Sequence, residues 1–268
     1  MERRVRGQPR AVRTLCALAG ELLGGQRQGN ESCLVFLLGA PGLGKTFAVG
    51  ELARAMNAPL LRLDMSVMPD TQTFQRLLAD QHRSCPGLSV TLLDEFEKAS
   101  LETVHALLPV DSGFLPLPCG GSLDLTRTLI CLTSNFGSDK MVRARTPLDQ
   151  QLARQDLQQQ FDARFSPEFM DRIREIVPFD ALDQAARRQI AADLLELEIV
   201  HQSRRLRRPI GVQPETVSLI ARLGFRSGVG ARPMQSVVRT QIRKALREVP
   251  PGRSGLVLGV RGQEVVIL

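Results

Sequence analysis

The stretch Gly39-Ala40-Pro41-Gly42-Leu43-Gly44-Lys45-Thr46 follows the apolar run CLVFLL and precedes a segment with helical periodicity. It fits the pattern G-x-x-x-x-G-K-[ST] in the one context that gives the pattern meaning, between a strand and a helix. Glycines let backbone N–H groups turn inward, and the helix N-terminus adds positive partial charge, so the loop through Phe47 is expected to cradle phosphates. Lys45 is expected to reach the β- and γ-phosphates of a nucleoside triphosphate, and Thr46 to ligate Mg2+.

The rest of the chain supports a parallel sheet. CLVFLLGA and LSVTLLDE are continuous apolar runs, as in strands buried on both faces, and PLLRLDM, TRTLICLTSN and EIVPF are further short strand candidates. Helical segments separate them. One begins at Lys45, with Ala48, Leu52, Ala55 and Met56 on a face, and SLETVHALLPV is expected to be another, capped by Ser100. Alternation of this kind implies a doubly wound α/β fold whose ligand sits beyond the carboxyl ends of the strands. Gly39, Asp94 and Asn135 all fall at such ends. After about residue 180 the pattern turns helical, with a long helix presenting Ile190, Leu194 and Leu197 and two short strands in the tail. The expected division is residues 1–180 as a large nucleotide-binding domain and 181–268 as a small, mainly helical one.

No segment of the 268 residues is apolar for eighteen in a row, and the basic start MERRVRGQPRAVRTL lacks a secretory h-region. No membrane contact and a cytoplasmic location are therefore expected. Cys16, Cys33, Cys85, Cys119 and Cys131 form no C-x-x-C pair and read as reduced thiols. The net charge of +7 comes almost wholly from Arg, with four Lys, and is densest in SRRLRRP. Nucleic acid is thus a possible partner but not the favoured one, because a helix end also gathers cations.

Asp94-Glu95 follows the apolar strand VTLL. Such a pair is a common helix start; beside a phosphate loop, the first carboxylate holds Mg2+ through water and the second orients or deprotonates the attacking water. The order of the phosphate loop, LDMS, LLDEFEKAS, TSNFGS, FSPEFMDRIREIVPF and GVGARP, preceded by VRGQPRAV, strongly resembles the second ATPase domain of the Clp chaperones, which are AAA+ ATPases. The resemblance covers nearly the whole chain. It implies an AAA+ P-loop fold with a five-stranded parallel sheet and a small helical C-terminal lid. It places Val5 and Arg6 where the family's backbone meets adenine, although the family carries an apolar residue where Arg6 stands. It matches Asp94 and Glu95 to Walker B, and Asn135 to sensor 1, which positions the lytic water or the γ-phosphate. Arg172 matches the arginine finger, which acts on ATP held by a neighbouring subunit, and Arg232 matches sensor 2. Without the resemblance, Arg172 reads equally as an ion-pair partner of Glu168 or Asp171, and Arg232 as a helix-start residue beside Pro233.

A finger supplied in trans requires an oligomer, and the resemblance favours a hexameric ring, either of this chain or mixed. The family's aromatic pore loop, of Gly-Tyr-Val-Gly type, should lie between LDMS and Walker B. Here that stretch reads VMPDTQTFQRLLADQHRSCPG, without Tyr, so the loop is expected to be deleted and Phe74 to be a core residue. RLGF leads into GVGARP and is not expected to dock a peptidase. Substrate choice is expected to lie with a partner, another chain or a surface that no sequence motif marks. The function expected is Mg-dependent ATP hydrolysis that remodels a protein assembly without threading. The alternatives are a nucleic-acid-directed loader and a nucleotide-gated assembly module with slow turnover.

Overall fold

Continuous apolar runs become central strands, and the more alternating ones become edges. In this computed structural model, which describes residues 1–24, 33–84, 87–118, 120–136, 147–226, 229–247, 249 and 255–268, the chain divides into two compact units. One is Met1–Ala40 with Gly44–Asp180; the other is Pro41–Leu43 with Ala181–Leu268.

The first unit runs α1 (Pro9–Gly24), β1 (Cys33–Leu38), α2 (Lys45–Ala55), β2 (Leu60–Asp64), α3 (Thr71–Ser84), β3 (Ser89–Asp94), α4 (Leu101–Ala106), β4 (Phe114–Pro116), β5 (Ser122–Asp124), β6 (Thr128–Ser134), α5 (Pro147–Arg164), α6 (Pro167–Met170) and β7 (Glu175–Pro178). The five main strands form one all-parallel sheet in the order β2-β3-β6-β1-β7. Every residue of β3 and β6 is buried, whereas the edge strand β2 alternates. The register sets Leu93 beside Leu132 and Asp64 beside Asp94.

One face of the sheet carries Leu34, Phe36, Leu61, Leu93, Ile130 and Leu132 against Phe74, Leu78, Phe96, Phe161, Phe165 and Phe169. Phe165 is the hub of the rings. It lies 5.6 Å from Phe36, 5.7 Å from Phe96, 6.0 Å from Phe136, 5.8 Å from Phe161 and 5.4 Å from Phe169, centroid to centroid. Phe74 is fully buried in this layer, as expected of a core residue. Helices α1 and α2 pair with each other and meet β7, β3 and β6.

Several expectations need correction. On α2 the buried apolar residues are Ala48, Val49, Leu52 and Ala53, and Ala55 faces solvent. Ser100 does cap α4, accepting from the Thr103 N–H at 3.1 Å, but the helix stops at Ala106 and continues as a 3-10 turn over Leu108–Ser112. Pro109 lacks the N–H that would extend it. Helices α1 and α5 and the antiparallel β4–β5 hairpin were not foreseen.

The second unit holds α7 (Gln184–Leu206), β8 (Ile210–Val212), α8 (Pro214–Gly224), α9 (Met234–Arg247), β9 (Leu256–Arg261) and β10 (Glu264–Ile267). The two expected tail strands are present and pair antiparallel, and β8 adds a third, parallel to β9. On α7 the core residues are Ala191 and Leu195, with Ile190 and Leu194 packed beside them. Leu197 is 64% exposed, so that part of the expected face is wrong. A Cβ on Gly224 would stand 2.7 Å from Met234 Cα, so α8 and α9 meet where only glycine fits. Among the described residues no helix is long and apolar enough to cross a membrane.

Cys16 is exposed and Cys131 buried. Cys85, Cys119, Gly137 and Ser138 of TSNFGS and Gly228 of GVGARP lie outside the described residues.

Candidate functional site

Three adjacent strands, β1, β6 and β3, end side by side, and their polar residues converge there. Lys45 opens α2. Its ammonium donates to Gly39 O at 2.5 Å, Ala40 O at 3.1 Å and Asn135 Oδ1 at 3.0 Å. Thr46 Oγ1 donates to the Asp94 carboxylate, 3.2 Å from Oδ1 and 3.3 Å from Oδ2. Thr133, in register beside Asp94, donates its hydroxyl to Oδ1 as well. Two bonded pairs thus stand at the strand ends, the loop lysine with Asn135 and the Thr46 hydroxyl with Asp94.

Glu95 sits just past Asp94 with φ 54° and ψ 47°, the left-handed region. For a residue with a Cβ this costs on the order of 1–2 kcal/mol. It is held by its N–H, which donates to Thr133 Oγ1 at 3.2 Å, and by its carbonyl, which accepts from Lys98 N at 2.9 Å. The bend turns Glu95 off the strand's alternation.

The residues present fit a phosphate and a hard cation. Gly44 caps α2 with φ 96° and offers no side chain to the helix's first N–H groups, and no acidic residue stands in the first turn. Those donors and Lys45 make an anion site. The Thr46 hydroxyl and the Asp94 carboxylate, within hydrogen-bond distance of each other, are oxygen donors of the kind Mg2+ takes, directly or through water.

The other expected residues are placed as follows. Val5 is buried and Arg6 half-buried in the turn before α1. That turn is tied down by Arg4, whose Nε is 3.2 Å from the buried Glu51 of α2, and by Gln8. Gln8 donates to Asp180 O at 2.8 Å and accepts from Asp180 N at 3.0 Å. Phe47 is 48% exposed on α2. Pro41, Gly42 and Leu43 group with the second unit. In that unit Arg232 is exposed in the turn before α9. Arg172 lies just beyond α6, with Nη1 3.1 Å from Asp111 and Nη2 3.8 Å from Glu168. Of its two expected ion-pair partners the structure supplies Glu168, and Asp111 takes the shorter contact.

Sequence reasoning missed three polar partners. Arg62 of β2 binds Asp94 Oδ2 through Nη2 at 2.6 Å. Thr133 braces both Asp94 and Glu95. Glu97 accepts from Asn135. Period-2 alternation does put Arg62 and Asp64 on one face, but no local pattern says which strand lies next to them. Asp64 itself is held below the usual carboxylate range, chiefly by the Ser66 hydroxyl, against a desolvation cost.

A family model described as AAA domain (Cdc48 subfamily) matches residues 31–176. This chain belongs to the AAA family of ATPases. A second model, the C-terminal D2-small domain of ClpB protein, matches residues 182–251 of this AAA ATPase. Among curated proteins it is 30% identical over 266 residues to "Chaperone protein ClpB" of Vibrio vulnificus strain CMCP6, covering 92% of the chain and 31% of that relative. It is 28% identical over 293 residues to "ClpA homolog protein" of Fuscovulum blasticum, covering 100% of the chain and 36% of the relative. The "ATP-dependent protease ATP-binding subunit-like protein AmiB" of Pseudomonas aeruginosa strain PAO1 is 31% identical over 251 residues, with 79% and 67% covered. The chain thus spans about a third of the length of the ClpB and ClpA relatives.

Proposed function

We propose that this chain binds Mg–ATP at the Lys45 loop, hydrolyses it as an oligomer, and uses the cycle to remodel a protein assembly without drawing polypeptide through an aromatic pore. The observation that carries the reading is the two bonded pairs at the strand ends, Lys45 with Asn135 and Thr46 with Asp94.

Lys45 and the α2 N-terminus bind the β- and γ-phosphates, and the turn at Val5 and Arg6 holds adenine. Mg2+, when bound by Thr46 and Asp94, draws charge from the phosphate oxygens. Glu95 takes the proton of a water that adds to the γ-phosphorus as the bond to ADP breaks, yielding ADP and inorganic phosphate. Charge on the equatorial oxygens is met by Arg172 of a neighbouring subunit, a role worth a rate factor of roughly 10³–10⁵. Arg232 is the second unit's reader of the terminal phosphate. The oligomer is proposed to be a ring, a hexamer by analogy with the Clp family, either of one chain or mixed.

The absence of threading rests on the link between β2 and α3. It is only Met65–Asp70, contains no aromatic residue and is capped by Asp70, which accepts from Thr73 N at 2.7 Å. Mass photometry of Glu95→Gln with ATP and Mg2+ tests the assembly, and steady-state ATPase of the parent chain tests turnover. A protein that stays monomeric with nucleotide bound yet hydrolyses at full rate rules out the in-trans site.

A further inference from the structure

Asn135 carries an amide with one accepting and one donating end, and the structure commits both. Lys45 Nζ lies 3.0 Å from Asn135 Oδ1. Asn135 Nδ2 and the Asn135 backbone N–H both donate to Glu97 Oε1, each at 3.3 Å. An ammonium only donates and a carboxylate only accepts, so this network admits one orientation of the amide. Glu97 is itself fixed in place. Its backbone carbonyl accepts from Arg164 Nε at 3.2 Å, and its second oxygen, Oε2, is buried without a hydrogen-bond partner among the described residues.

Resting on the ATPase reading above, we infer that Glu97 is a positioning residue that holds the donating end of Asn135 away from the phosphate loop, so that Asn135 presents only its oxygen to the reacting centre. An oxygen there accepts from the attacking water. It cannot donate to the γ-phosphate. Asn135 then acts on turnover and not on the choice between triphosphate and diphosphate. Glu97 acts through it, touching no substrate. A glutamine at 97 can instead offer an N–H to Asn135 Oδ1, which turns the amide round and aims its donor at the phosphate.

The test measures affinities for ADP and ATPγS, and kcat for ATP, in the parent chain, Asn135→Ala, Glu97→Gln, Asn135→Asp and the double variant Glu97→Gln/Asn135→Asp. Unchanged ADP affinity certifies that each variant is folded. Asn135→Ala is expected to keep the parent's ATPγS-to-ADP affinity ratio within about twofold while kcat falls on the order of 10²-fold, the usual scale for losing one positioned group. Glu97→Gln raises the ratio and lowers kcat. Asn135→Asp sets two carboxylates together and loses kcat. The double variant regains it, because the new amide at position 97 donates to one oxygen of the new carboxylate at position 135 and leaves the other oxygen facing the loop. A fall in the affinity ratio for Asn135→Ala, or parent-like kcat in Glu97→Gln, or no recovery in the double variant, overturns the inference. Failure of the parent chain to bind either nucleotide overturns the site reading instead.

Discussion

Arg172 lies 3.1 Å from Asp111, a residue of the 3-10 turn over Leu108–Ser112, and its Nε is buried without a hydrogen-bond partner among the described residues. The guanidinium proposed to act on a neighbour's nucleotide is paired with Asp111 of its own chain, so Asp111 competes for it under that proposal. Asp111→Asn is expected to raise turnover by up to about fivefold, because a partly exposed ion pair is worth at most ~1 kcal/mol. Steady-state ATPase measured against protein concentration checks this. A lower rate would make Asp111 a support for Arg172 rather than a competitor.

Arg172→Ala is expected to cut kcat by roughly 10³–10⁵ while ATP affinity stays within about twofold of the parent. Mixing experiments sharpen the test. An excess of Arg172→Ala protomers should poison parent protomers, and a proportional loss of activity instead would show that each chain hydrolyses ATP alone.

Lys45→Ala removes a buried ammonium that now bonds two loop carbonyls and Asn135. ATP binding should weaken on the order of 10–100-fold or more, since charge-assisted bonds are worth about 1.5–3 kcal/mol each. Titration calorimetry reads the effect directly, and near-parent affinity would remove Lys45 from the phosphate site.

Glu95→Gln is expected to keep ATP binding and lower turnover on the order of 10²–10⁴-fold. Filter-bound radiolabel should then remain as ATP. If the label appears as ADP at the parent's rate, the water is activated by another group.

His82 provides a pH test of stability. It is buried with Nε2 unpartnered among the described residues, and burial lowers its pKa below the ordinary 6.5, partly offset by Asp124. The unfolded chain thus binds a proton there more readily than the folded one. The stability this neutral histidine allows is present above about pH 6.5 and is lost as pH falls from there through the lowered value of the folded state. Asp64, Asp70 and Asp124, all held below 3.8, add a separate loss at lower pH. Urea unfolding at pH 7 and pH 5 should show a smaller acid loss for His82→Leu than for the parent, and equal losses would show that His82 does not carry this step.

Much of the fold was legible because its signals are local. Apolar runs marked the three central parallel strands, shorter mixed ones marked the two edges, and Ser100 marked the start of α4. Helix α1 was legible too, since Ala11, Val12, Leu15, Leu18 and Ala19 recur at helical spacing with Arg10 and Arg13 on the other face, but the segment was read only for its basic charge and the family motif. Leu197 misled because an apolar residue at helical spacing faces the core only if its neighbour Leu195 does not take that place. At the site, Lys45, Thr46, Asp94 and Asn135 could be read from motifs. Arg62, Thr133 and Glu97 could not, since their importance comes from strands 30–40 residues apart in sequence lying side by side.

The ring cluster has an optical consequence. The chain has eleven Phe and neither Trp nor Tyr, so it is almost dark at 280 nm and has no native emitter in the usual window. Phe136 follows Asn135 directly, and its half-buried ring rests 5.7 Å from Phe161 at the rim of the cluster. A single tryptophan put there by Phe136→Trp would be the sole fluorophore. Its emission would report, free of background, each arrival and departure at the neighbouring loop.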